Sequence, residues 1–159
     1  MQTNYKLEMD PALVGQIADL SNHTIDSFAA EAGLDAGVPV KRGTDPTAQV
    51  LPVSAEGDAA DAIGIVIHEH KEHVAAGQAY YPEQYVVGVM TKGRIWVQTG
   101  GAVTAGAAAK YNVTDGTFVE NAPEGEGDED SEAVVEELGC GAKFITSTTA
   151  AGLAVIEIG

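Results

Sequence analysis

The stretch Tyr80–Gln98, YYPEQYVVGVMTKGRIWVQ, most constrains what this chain can fold into. From Tyr85 to Thr91 it is β-branched and apolar, Lys92-Gly93 interrupts it, and Arg94 to Gln98 resumes it, so it reads as two strands closed by a tight turn. The turn is either a two-residue one, which demands positive φ at Lys92 as well, or a three-residue one with Gly93 alone left-handed. Tyr85, Val87 and Val89 share one face of the first strand, and Val86, Gly88 and Met90 share the other. With both faces apolar the hairpin has to be covered twice, by two layers of its own domain or by one layer and a second subunit. The returning strand carries Ile95, Trp96 and Val97. Trp96 is an interface anchor if it faces outward and a core residue otherwise, the core reading being the simpler.

Composition excludes several classes. At 159 residues the chain fits one domain with a real core. Its 19 glycines exceed the roughly 11 that average usage of about 7% would give, which favours short strands and many turns over helical bundles. A net charge of −16 repels a phosphate backbone, so no nucleic-acid partner is expected. No apolar run reaches the eighteen or so residues of a spanning helix, and the start MQTNYKLEMDP lacks the basic and apolar regions of a signal peptide. No membrane partner is expected, and maturation in the cytoplasm is. Cys140 is single, and LGCGAK offers it only Lys143 as a basic neighbour, so it reads as a small packed thiol.

Along the chain, residues 1–35 read as an N-terminal arm and 36–159 as a single β domain with an acidic surface insertion at 123–139. Within the arm, Leu13, Ile17, Leu20, Ile25 and Phe28 recur without a clean period. The segment Thr24–Ala32 is either a short helix, capped by Thr24 and ended by Gly33, or an extended piece laid over a neighbour; the arm is expected to be disordered when free. Strands are predicted over Val38–Lys41 and Ala48–Val53 around the Asp45-Pro46 turn, and then in DAIGIVIHEHKEH, where Ile63, Ile65 and Ile67 share a face. Lys110–Val113 and Thr117–Val119 flank Asp115-Gly116, the strongest hairpin turn in the sequence. The insertion PEGEGDEDSEAVVEELG is solvated in its first half, with a short helix predicted over Ser131–Leu138. Two strands, in GAKFITSTT and LAVIEIG, end the chain. Short strands spaced by glycine turns predict a mainly β fold, a small β-barrel or β-sandwich with an extended N-terminal arm and at most one or two short helices.

Catalytic signals are weak. His68 and His70 project on one side of a strand and His73 can fold back to them, so three imidazoles could meet a zinc-like ion with Glu69 or Glu72 as base. The spacing resembles the first half of a cupin metal motif, but Gly64 and Glu72 stand too close to the histidines and no second half follows. A strand end leaving its polar edge in water is the simpler reading. No nucleophile elbow, phosphate loop or calcium loop is present, since DED at Asp128–Asp130 lacks the glycine and terminal glutamate of the last. No cofactor is expected.

Several segments taken in order resemble the capsid cement, or head decoration, proteins of tailed bacteriophages. PALVGQIADL (Pro11–Leu20) is similar to that family's arm, and AGVPVKRGTD (Ala36–Asp45) to its first strand. AIGIVIHEH (Ala62–His70), YVVGVMTKGRIWVQ (Tyr85–Gln98) and VTAGAAAKYNVTDGTF (Val103–Phe118) resemble the strands that follow. The resemblance implies a non-enzymatic structural protein that sits on the outer capsid surface of the virion, is made in the bacterial cytoplasm, and clamps neighbouring capsomers against internal DNA pressure. It further implies the major capsid protein as partner, self-association as a homotrimer, and capsid contacts from Pro11, Leu13, Val14, Ile17, Leu20, Ile25 and Phe28. The hairpin residues Tyr85, Val87, Val89, Ile95, Trp96 and Val97 would form the core or an oligomer contact. The alternatives are a small metal-binding β-barrel using His68, His70 and His73, and a tail-associated structural protein.

Overall fold

The computed structural model describes residues 12–69, 80–121 and 134–159. It is a mainly β structure in which one long strand serves two cores. The strands are β1 (Thr24–Ala30), β2 (Pro39–Arg42), β3 (Gln49–Pro52), β4 (Ala62–Val66), β5 (Val86–Thr99), β6 (Lys110–Asn112), β7 (Thr117–Val119), β8 (Val135–Glu137), β9 (Ala142–Phe144) and β10 (Gly152–Ile158), with a 3₁₀ turn at Asp58–Asp61.

The first half of β5 closes a five-stranded barrel. Pairing runs β1–β3–β2–β4–β5 and returns from β5 to β1; only β1–β3 is parallel. Phe28 and Ala30 of β1, Val40 of β2, Val50 of β3, Val66 of β4 and Val87 and Val89 of β5 fill it, with Leu34 and Tyr81 closing the same cluster. These side chains obey strand alternation, so every second residue points inward and the small barrel fills with valines.

The second half of β5 belongs to a different sheet. It pairs with β10 over seven residues, from Gly93↔Ile158 to Thr99↔Gly152, and β10 pairs with β9. On the other side Thr99 meets Phe118 of β7, β7 pairs with β6, and a bridge from Ala108 to Lys143 brings the chain entering β6 against β9. The pairing thus returns to β5 around a second core that includes Ile95, Val97, Tyr111, Phe118, Phe144 and Ile156. Ile65, Ile67 and Met90 join it from the outside of the first barrel.

The predicted hairpin at Lys92-Gly93 is therefore a correction: β5 runs through it as one strand of 14 residues. Both halves pair elsewhere, the first with β1 and β4 and the second with β10, and not with each other. Gly93 does adopt positive φ, at 129°, but it serves a dislocation. The β1–β5 register slips between Thr24 and Ile25, so Thr91 is an extra residue on β5. Before the slip the even residues Gly88 and Met90 face the second core; after it the odd residues Ile95 and Val97 do. That switch lets one strand present apolar faces to two cores.

The segment read as either a short helix or an extended piece is a strand, and the described part of the helix predicted over Ser131–Leu138 holds a strand as well. Thr24–Ala30 is β1, because its backbone lies between the edges of β5 and β3 and its Phe28 and Ala30 alternate into the barrel. At the other site, the described part of Ser131–Leu138 holds β8, paired with β6, and buries Leu138 in the second core. Glu136 reaches from β8 to the 3₁₀ turn, where its carboxylate accepts the Gly57 N–H at 2.5 Å and the Ala59 N–H at 3.2 Å. The Asp115-Gly116 hairpin forms between β6 and β7 as predicted, with Gly116 at φ 70°.

Gly64 marks a close approach of β4 to β5: a Cβ there would run into the Met90 carbonyl. Gly64→Ala therefore forces β4 away from β5, and a loss of roughly 1–3 kcal/mol in urea-unfolding stability is expected. An unchanged unfolding midpoint would show that the strands have slack there.

Candidate binding surface

The arm as far as Asp19 is laid onto the outer edge of β5. Ile17 bridges Ile95, with the Trp96 N–H donating to the Gln16 carbonyl at 2.9 Å and the Ala18 N–H to the Arg94 carbonyl at 2.9 Å. Gly15 donates to the Trp96 carbonyl at 2.7 Å and accepts from the His68 N–H at 2.6 Å, which ties the arm to the end of β4 as well. Gly15 has φ 79°, and a Cβ there would lie 2.8 Å from the Gly37 nitrogen, so only glycine fits this crossing. The sequence predicts a mobile arm; these four hydrogen bonds fix Gly15–Ala18 to the body instead.

An ion network fastens the same place. Arg94 on β5 pairs with Asp19 of the arm at 3.1 Å and with Glu157 of β10 at 2.8 Å, and Lys143 of β9 pairs with Glu157 at 3.1 Å. Nothing in the sequence pattern flagged this set, although a lone arginine inside an apolar strand of so acidic a chain was the available signal. Hydrogen bonds from Arg94 and then Lys143 hold the Glu157 carboxyl below its ordinary value. Asp19 is lowered too, chiefly by the Ser21 hydroxyl and N–H and then by Arg94.

The predicted contact residues divide by burial. Leu13 and Leu20 are exposed, at 52% and 94%. Val14, Ile17 and Ile25 are half-buried, the last two against the second core. Phe28 lies inside the first barrel, 6% exposed, with the Arg42 guanidinium 4.8 Å from its ring centre. Pro11 lies outside the described residues. Of the β5 residues, Val87, Val89, Ile95 and Val97 are fully buried, and Trp96 is half-buried. Tyr85 is 43% exposed, and its neighbour Val86, which sequence reasoning placed in a covered face, is 60% exposed.

Of the predicted histidine cluster only His68 lies among the described residues. His70 and His73 lie outside the described residues, and among the described residues no group of three or more His, Cys, Asp or Glu could hold a metal. The His68 ring stacks on Tyr80 at 5.2 Å, and Tyr80 packs edge-on against Tyr81 at 4.8 Å. Tyr81 is fully buried; its hydroxyl donates to the Ile67 carbonyl at 2.6 Å and accepts from the Glu69 N–H at 2.9 Å. Burial pushes its phenol up to about 12, so it stays protonated and acts as a tether. Cys140 is half-buried and its thiol is raised by burial, consistent with a packed thiol. Among the described residues no helix is long and apolar enough to cross a membrane.

The described residues thus form a mainly β protein with two apolar cores, a fastened arm and a few exposed apolar side chains. Comparison sharpens this: the family model for the structural cement protein (E217 gp24/Pam3 gp6) matches residues 1–159, and the chain belongs to that family of phage structural proteins. A chain from the solved capsid of Myoviridae phage XM1 shares the fold at 17% identity, with a TM-score of 0.69 over 99% of this chain and 96% of that one. No curated protein matches.

Because both carboxylates of the network have lowered pKa values, its contribution is present above their unfolded values near 4 and is lost as pH falls through the folded ones. The urea midpoint is expected to fall on acidification below about pH 4, and less steeply in Arg94→Gln. Parallel pH profiles for the two proteins would show that the network adds nothing to folding.

Proposed function

We propose that this protein is a non-enzymatic cement: it binds the outside of a mature phage capsid through the major capsid protein and holds neighbouring capsomers together against the pressure of packaged DNA. The observation that carries this reading is the family match over the whole chain. The fold shared with a chain of the XM1 phage capsid supports it. So does the charge of −16, which suits an outer position away from DNA and keeps unbound copies apart. On the shell, copies gather in symmetric sets, trimers at three-fold positions being the expected arrangement. The arm supplies the contact, with Leu13 and Leu20 as its apolar pegs, since each projects from backbone that is pinned nearby to β5. Preformed pegs bind without the cost of ordering a chain.

The test is co-sedimentation with expanded, DNA-free heads of the cognate virus, with unexpanded heads as control. Saturable binding to expanded heads only is expected, weakened roughly tenfold or more by Leu20→Asp, because a carboxylate would enter an apolar socket. Point variants are required, because deletion through Phe28 would remove most of barrel strand β1. Absence of binding by the wild-type protein at micromolar concentration would overturn the reading.

A further inference from the structure

The exposed large apolar side chains of the described residues fall in two places: Leu13 and Leu20 on the arm, and Tyr85 and Val86 at the start of β5. The second place is a tip of five successive exposed residues, Pro82–Val86. Val86 belongs to the β5 row that continues with Gly88 and Met90. Met90 is buried in the second core, and Gly88 is covered by Ile67, whose Cδ1 would lie 2.8 Å from a Cβ at that position. The apolar row therefore runs past the end of its cover, leaving Val86 60% exposed.

The tip is also held in shape. Gln84 takes φ 65°, unusual for a residue with a side chain, and its N–H donates to the Ala30 carbonyl at 2.6 Å. The Ala30 N–H donates to the Tyr85 carbonyl at 2.8 Å, and the Tyr85 N–H to the Pro82 carbonyl at 3.1 Å. The Tyr85 ring leans on buried Tyr81 at 6.1 Å. Tyr85 and Val86 thus form an exposed apolar pair on a turn of fixed shape, the kind of feature that marks interaction surfaces.

We propose that the tip Pro82–Val86 is a second contact surface, taking an apolar socket rimmed by lysine or arginine on a neighbouring shell subunit, so that each copy grips the shell at two points. This rests on the capsid-binding reading above. The tip's own charge selects the occupant: the same tip on a second copy would set Glu83 against Glu83, whereas a cation-rimmed socket complements it. Tip and arm stand on the same strand, Val86 and Ile95 being nine residues apart and so at most about 30 Å. A rigid span of that length converts two weak contacts into a clamp.

Three proteins separate binding from clamping: wild type, Leu20→Asp and Val86→Asp, each mixed with expanded DNA-free heads. Binding is read by co-sedimentation at low and high salt, and shell strength by light scattering on heating. Val86→Asp is expected to bind through the arm with roughly tenfold to hundredfold lower affinity, and to leave the heads no more heat-resistant than bare heads even at full occupancy. Thermal unfolding of the variant alone checks that it folds; if it does not, Val86→Ser takes its place with the same expected direction. Val86→Asp that binds and protects heads like wild type would overturn the second contact while leaving the cement reading intact. A wild-type oligomer in solution that Val86→Asp breaks into monomers would overturn the shell subunit as occupant. Failure of the wild type itself to bind would overturn the capsid reading first.

Discussion

The structure depends on the burial of one strand on both of its faces. β5 runs for 14 residues, and its backbone is paired on both sides for much of that length, first by β1 and β4 and then by β10 and the arm. A strand wet on one face could support a single core. This one sends Val87 and Val89 into the first barrel and Met90, Ile95 and Val97 into the second core. The dislocation around Thr91–Gly93 is what makes this possible, because without the slip strict alternation would turn Ile95 and Val97 away from the core that Met90 enters. Loss of either core would expose half of β5, so the two cores stabilise each other.

Much of this was legible in the sequence. Two apolar faces, two halves and a glycine discontinuity were all readable between Tyr85 and Gln98, and they are real. What could not be read was which partners the halves would take, because a hairpin and a through-strand share the same local pattern and differ only in contacts far along the chain. The conformation of β1 was left open, and β8 was missed, for a related reason. TIDSFAAEA has good helix formers and a cap, and AVVEEL has helical spacing, but each is claimed by an open strand edge whose pairing outweighs a local propensity of a few tenths of a kcal/mol per residue. Asp115-Gly116 succeeded because its turn chemistry is local.

The candidate surface was legible to a smaller extent. Leu13 and Leu20 followed from an apolar arm, but Phe28, which shares its composition, faces inward, since strand phase decides exposure and phase is set by pairing with β5. Val86 was placed under cover because alternation says only which face it occupies, not where the covering layer stops. The Arg94 network joins residues from four segments distant in sequence, Asp19, Arg94, Lys143 and Glu157, so no spacing rule could assemble it.

The proposed clamp would have to carry load between its contacts without deforming. Here the path between arm and tip is β5 itself. Along it the ladders to β1 and to β10 lie parallel to the strand, so tension along β5 loads many hydrogen bonds together in shear rather than opening them one at a time. The arm joins this path through Gly15, Gln16 and Ala18, all bonded to Arg94 or Trp96, or in the case of Gly15 to the end of β4 as well. Slippage of the ladders by a single residue would reverse every side chain of β5, moving Val87, Val89, Ile95 and Val97 out of two cores at once. The same two-sided burial that sets the fold therefore makes β5 resistant to sliding, which is the mechanical property that the proposed clamp would require.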